Sequence, residues 1–124
     1  MNNKKMGTNF ERQFCGMLAE EGYWVHFLSP DARGAQPFDV IAVKNGDAVA
    51  IDCKTCKDHI FRLSRLEDNQ VMAFEKWLAC GNDGALLAVL HENHVYFVDY
   101  TDLKAQGKIN LMEVEVVWPI CADE

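Results

Sequence analysis

Two hydrophobic periods alternate along this chain, and the places where one gives way to the other lay out the elements. From Thr8 to about Glu21, Phe10, Phe14, Met17 and Leu18 recur at helical spacing and predict a helix that Gly22 stops. Thr8 and Glu11 have the spacing of a capping box, in which hydroxyl and carboxylate satisfy backbone N–H groups at a helix start. Tyr23 to Leu28, rich in aromatic and β-branched residues, predicts a strand, and the polar stretch from Ser29 to Gln36 a loop. Pro37 to Lys54, PFDVIAVKNGDAVAIDCK, predicts two strands joined at Asn45-Gly46-Asp47, because Asn and Gly tolerate the positive φ of tight hairpin turns. After a polar connector, Thr55 to Arg62, a second helix is expected from about Arg65 to Cys80. Val71, Phe74, Trp77 and Leu78 form its buried stripe, Ser64 and Glu67 repeat the capping-box spacing, and Gly81 is its stop. Ala85–Leu90 and Val95–Tyr100 predict two strands around a turn at His91–His94. A helical turn near Thr101–Gln106 and a last strand, Leu111–Trp118, ended by Pro119, complete the chain. A helix between the third and fourth strands demands a crossover. The order α-β-β-β-α-β-β(-β) therefore predicts an α/β fold, a mixed, twisted central sheet flanked by helices.

A length of 124 residues fits one domain, residues 1–124, with residues 1–6 as a flexible basic tail. No apolar run approaches the length of a membrane span, and the start lacks the apolar region of a signal peptide, so no membrane partner is expected. Five scattered cysteines, an odd number, do not form a disulfide framework and point to the reducing cytoplasm. A net charge of −7 argues against a nucleic-acid partner, yet the charge is unevenly placed. Residues 1–66 hold nine Lys/Arg and eight acids, leaving three of the 12 bases and eleven of the 19 acids for residues 67–124. If three first-half acids hold metal, the remaining surface there is basic.

Candidate chemistry gathers at one end of the predicted hairpin. Side chains alternate faces along a strand, so Asp52 and Lys54 point one way while Ile51 and Cys53 point the other. Antiparallel pairing brings Asp39 to the same end. Two carboxylates and an ammonium suit a divalent cation and a developing anion. Acids inside apolar strands are costly to bury alone, so solvent-facing decoration is the plain alternative. Cys53 and Cys56 form a CxxC that, with His59 and Cys80, Cys121 or the His91/His94 pair, offers a zinc reading. Trp24, Trp77 and Trp118 are expected in the core, with exposed base stacking as the alternative for any one of them.

Pro37-Phe38-Asp39, followed by Asp52-Cys53-Lys54, resembles the PD…(D/E)xK signature of the restriction-endonuclease-like nucleases. Gly7-Thr8-Asn9-Phe10-Glu11-Arg12 is similar to the Gly-x-x-x-Glu-Arg helix of Holliday-junction resolvases of the Hjc type, and the loop with Ser29, Arg33 and Gly34 resembles that group too. Lys54-Thr55-Cys56-Lys57, Phe61-Arg62-Leu63, Asn69-Gln70 and Gly81 are similar to RecU-type resolvases. The resemblance implies a metal-dependent endodeoxyribonuclease that resolves four-way junctions in recombination and repair as a homodimer. It implies one or two Mg²⁺ or Mn²⁺ ions per site, held by Glu11, Asp39, Asp52 and the Cys53 backbone carbonyl. Lys54 would orient the attacking water and stabilise the charged phosphorane, with Gln70 hydrogen-bonding the water or Lys54. Arg12, Arg33, Lys57, Arg62, Arg65, Lys4 and Lys5 would contact DNA phosphates. Two departures stand out: Asp52 replaces the Glu usual in these resolvases, and the Ser29–Gln36 loop is too short for the long projecting segment of RecU-type enzymes. Three alternatives accompany this reading: a nuclease of the same fold acting on flaps, ends or single strands, a non-catalytic DNA-binding or interaction module, and a small zinc-binding protein.

Overall fold

A computed structural model describes residues 3–28, 38–115 and 117–119, with the side chains of residues 3–8 excepted. Helix α1 spans Asn3–Glu20 and is followed by β1 (Trp24–Phe27), β2 (Val40–Lys44) and β3 (Asp47–Thr55). Next come β4 (Ile60–Arg62), helix α2 (Asp68–Ala79), β5 (Gly84–His91) and β6 (His94–Asp99). Helix α3 (Tyr100–Gln106), β7 (Lys108–Asn110) and β8 (Val117–Pro119) finish the chain. The main sheet has the order β1-β2-β3-β5-β6-β8. Its pairs are antiparallel except β3–β5, which α2 makes parallel by crossing over, so the sheet is mixed as the element order implies.

One face of the sheet buries α1, the other α2 and α3. On the α1 face, Phe10, Phe14 and Leu18 pack on Val40, Ala42, Ile51, Ala88 and Val95. On the other, Phe74 of α2 and Tyr100 and Leu103 of α3 pack on Phe38, Ala50, Leu87 and Val89. At the β2–β3 turn Asn45 has φ 54° and Gly46 φ 84°, the double left-handed conformation of a two-residue hairpin turn, with Lys44 opposite Asp47.

Four expectations need correction. Helix α1 begins at Asn3, within the stretch read as a tail, so Thr8 lies inside the helix and cannot cap it. A 3₁₀ turn occupies Leu63–Arg65, and α2 starts only at Asp68. Glu67 is its N-cap, and Gln70 closes the capping box by accepting the Glu67 N–H at 3.0 Å, the role that the spacing had given to Ser64 and Glu67. The polar connector contains β4, which pairs with β7 in a second, two-stranded sheet. Strands of three residues carry too little alternation to register in sequence. Finally, Leu111–Glu113 is a 3₁₀ turn capped by the Asn110 side chain, and β8 is confined to Val117–Pro119. Proline is tolerated there because β8 is an edge strand.

Candidate active site

The site arises where β2 and β3 part company. Their pairing runs from Lys44↔Asp47 to Val40↔Ile51 and stops, while β3 continues to Thr55 alongside β5 alone. Asp39 sits at the fork. Its N–H is shared between the Ile51 carbonyl and Asp52 Oδ1, each at 3.2 Å, and its Oδ2 accepts the Cys53 N–H at 2.8 Å. The N–H and C=O of one strand residue point to the same edge, so the Cys53 carbonyl faces the same opening as Asp39. Alternation along β3 puts Asp52 and Lys54 on the α2 face with Ala50, and Ile51 and Cys53 on the α1 face.

Helix α2 meets this fork at its first turn. Lys54 Nζ donates to Gln70 Oε1 at 3.0 Å, and the same oxygen accepts the Glu67 N–H. Gln70 thus holds the helix start and the β3 ammonium together. Glu11 comes from α1, half-buried one turn from Phe14. Burial, then the neighbouring Asp39 charge, push its carboxyl up to about 7. Asp52 is only 2% exposed, and burial followed by Asp39 pushes its carboxyl up to about 7 as well, against the lowering effect of Lys54.

One atom decides what the cluster lacks. Among the described residues the buried Asp52 Oδ2 has no hydrogen-bond partner, although its twin Oδ1 has one. A buried carboxylate oxygen with nothing to accept from, beside two more acids, suits a cation, and oxygen donors suit a hard one such as Mg²⁺. Among the described residues, however, no three acidic, His or Cys side chains already stand close enough to hold an ion. The donor chemistry fits, and side-chain rotation of Glu11 and Asp39 would have to complete the closure.

The structure therefore brings Glu11, Asp39, Asp52, Lys54 and Gln70 together. Arg12, Lys57 and Arg62 are exposed. Arg65 is exposed but engaged, donating to the Thr55 carbonyl at 2.8 Å with its guanidinium over the Phe61 ring. Arg33 lies outside the described residues, as do the side chains of Lys4 and Lys5. His91, which the sequence offered only as a zinc ligand, is buried with Nδ1 2.9 Å from the Cys56 carbonyl, and the Cys56 N–H donates to Leu90. Together with Arg65 it extends the β3 ladder past Lys54. The zinc reading fails on parity: Cys53 packs against the α1 cluster and Cys56 against the α2 cluster, three residues apart on opposite faces. Trp77 and Trp118 are packed as expected, whereas Trp24 is 62% exposed.

Comparison with known proteins bears directly on this arrangement. The family model described as archaeal Holliday junction resolvase (Hjc) matches residues 2–116. The chain belongs to this family. Hjc proteins are junction-resolving nucleases of the restriction-endonuclease-like superfamily, which hydrolyse phosphodiester bonds. The fold is similar to that in the 1.6 Å structure of Archaeoglobus fulgidus Hjc, a Holliday junction resolvase from an archaeal hyperthermophile. The TM-score is 0.63 at 21% identity, over 82% of this chain and 85% of that one. No curated protein matches the chain. Among the described residues no helix is long and apolar enough to cross a membrane.

Proposed function

We propose that this Hjc-family nuclease cleaves four-way DNA junctions by Mg²⁺- or Mn²⁺-assisted hydrolysis, as a homodimer, at the fork between β2 and β3. The observation that carries the reading is the buried Asp52 Oδ2 without a partner, next to a lysine held by Gln70. Glu11, Asp39, Asp52 and the Cys53 carbonyl would hold one or two ions. Bound there, the ion supplies Lewis-acid polarisation of a phosphoryl oxygen and a water acidic enough to attack near neutral pH. The chain's own residues do the remainder. Asp39, fixed by its hydrogen bond to Cys53 N–H, and Asp52, fixed by the Asp39 N–H, orient their carboxylates before substrate arrives. Lys54 donates to the attacking water and stabilises charge growing on phosphorus. Gln70 aims the ammonium. The water oxygen bonds to phosphorus as it gives up a proton to solvent, the ester P–O bond breaks, and the leaving alkoxide takes up a proton from solvent. Arg12, Lys57, Arg62 and Arg65, with Arg33, Lys4 and Lys5, are the candidates for phosphate contact.

Two-fold symmetry motivates the homodimer, since a four-way junction offers paired strands of like polarity to two symmetric sites. Wild type, Asp52→Ala and Lys54→Ala, incubated with a labelled four-way junction in Mg²⁺, Mn²⁺ or EDTA, test the reading. Symmetrical nicks abolished by either substitution and by EDTA are expected. Cleavage surviving Asp52→Ala would sink the site, and failure of wild type on every structured DNA would leave a non-catalytic DNA-binding module.

A further inference from the structure

Helix α2 covers only part of the sheet face that carries Asp52 and Lys54. It packs on β5 and, through Phe74 and Trp77, on Phe38. Among the described residues no helix lies over the β1–β2 strip of that face. Trp24 and His26 are exposed there, and their cross-strand partners Val43 and Ile41 are half-buried. The two rings lie 9° from parallel with centroids 6.1 Å apart, so β1 presents an aromatic ledge of two stacked rings at the rim of the sheet. Trp24 is 62% exposed, so much of its indole surface is open to a planar ligand.

Register fixes where the ledge lies. Trp24 pairs with Val43 and Phe27 with Val40, the residue after Asp39. Trp24 is thus four residues from Asp39 along β2, roughly 13 Å at ~3.3 Å per residue. It is on the same face as Asp52 and Lys54, because Ile41 and Val43 alternate with the α1-facing Val40 and Ala42 while Ala50, Asp52 and Lys54 alternate with the α1-facing Ile51 and Cys53. Its cross-strand neighbours Ile41 and Val43 carry no charge, in a chain whose net charge is −7. A polyanion can approach it without repulsion from its immediate neighbours.

Resting on the junction-cleaving reading above, we infer that the Trp24–His26 ledge stacks an unpaired base exposed at the branch point and so biases the enzyme toward branched DNA. The chemistry is general: every base has a π-face, and stacking on indole is tolerant of sequence. Fully paired duplex has no free base face to offer within its length, so the ledge discriminates by structure. A second copy of the chain is the competing occupant. The patch of two rings and two aliphatic side chains is too small to form a stable interface by itself, which takes about 800 Å² per partner.

The test measures binding of wild type, Trp24→Ala and Trp24→Phe in EDTA to a four-way junction and to linear duplex of the same sequence, with 2-aminopurine at the branch point. Trp24→Ala is expected to bind the junction about tenfold or more weakly, to bind duplex within twofold of wild type, and to lose the 2-aminopurine quench. Trp24→Phe should keep most of the junction preference. Trp24 is exposed, so circular dichroism should show an unchanged fold. Equal junction affinity for Trp24→Ala and wild type overturns the inference, and so does an equal loss on junction and duplex. A fall in molecular size of Trp24→Ala assigns the surface to a second copy instead. Wild type that cleaves junctions while Trp24→Ala binds them normally refutes the ledge alone. Wild type that neither binds nor cleaves them refutes the junction reading and the ledge with it.

Discussion

Replacing Asp52 by Asn should make the metal-free protein more stable at pH 8 while abolishing its activity. The folded-state carboxyl, raised from 3.8 to about 7, binds a proton that the unfolded chain has already released between those values. Stability therefore falls as pH rises from about 4 to 7, and the full penalty is in force above 7. Three units at 1.36 kcal/mol each give an upper bound of about 4 kcal/mol. Glu11, raised to about 7 in part by the same Asp39, titrates with Asp52, so the two penalties cannot simply be added.

Asparagine removes the charge and keeps the oxygen that accepts the Asp39 N–H. Its amide, though, inherits the partnerless position of Oδ2, at a cost of about 1–3 kcal/mol. The net gain at pH 8 in EDTA is about 1–3 kcal/mol. At pH 4, where wild-type Asp52 is protonated, Asn should be neutral or destabilising. Urea unfolding followed by circular dichroism at both pH values, with EDTA or Mg²⁺, resolves the four cases. Mg²⁺ should stabilise wild type by mass action and leave Asp52→Asn nearly unchanged. A difference between the two proteins that does not vary with pH would refute the electrostatic account, and equal stabilisation of both by Mg²⁺ would refute Asp52 as a ligand.

Two further outcomes follow from the same geometry. Gln70→Ala should lose both hydrogen bonds to Oε1, destabilising the fold by about 1 kcal/mol and lowering kcat about tenfold with little change in junction affinity, read by urea unfolding and single-turnover cleavage; a change confined to affinity would place Gln70 on DNA rather than on Lys54. Thiol labelling at pH 8 should modify exposed Cys80 before Cys15, pushed up to about 11 by burial and Glu11, and before Cys53, pushed well up by burial and Asp39; mass spectrometry of the labelled peptides checks the order, and early modification of Cys53 would mean that the β2–β3 fork opens readily.

What was legible in the sequence depended on signals with a fixed period or a fixed chemistry. The hairpin at Asn45-Gly46 was visible because its turn requires positive φ, and Asp52 and Lys54 could be placed on one face by parity alone. Parity also held the answer to the zinc reading, since Cys53 and Cys56 differ by an odd number of strand residues. That argument required knowing that β3 runs on to Thr55, which the polar residues after Lys54 conceal. Gln70 was placed beside Lys54 by resemblance, yet its second role, capping α2 through the Glu67 N–H, was hidden because Ser64 and Glu67 presented a capping pattern three residues earlier. Glu11 shows the same competition in reverse. Its apparent capping partner Thr8 lies inside a helix that starts at Asn3, and removing that local role leaves the carboxylate to the β2–β3 fork. In both cases a short-range pattern and a long-range contact competed for one side chain, and the long-range contact was decided by where β2 stops. The end of β2 at Val40 is what lets the Asp39 N–H reach Asp52 as well as the Ile51 carbonyl, and among the described residues it leaves the Cys53 edge of β3 without a strand beside it. The chemistry of this chain is therefore set by a missing strand pair, a feature of register that no motif spells out.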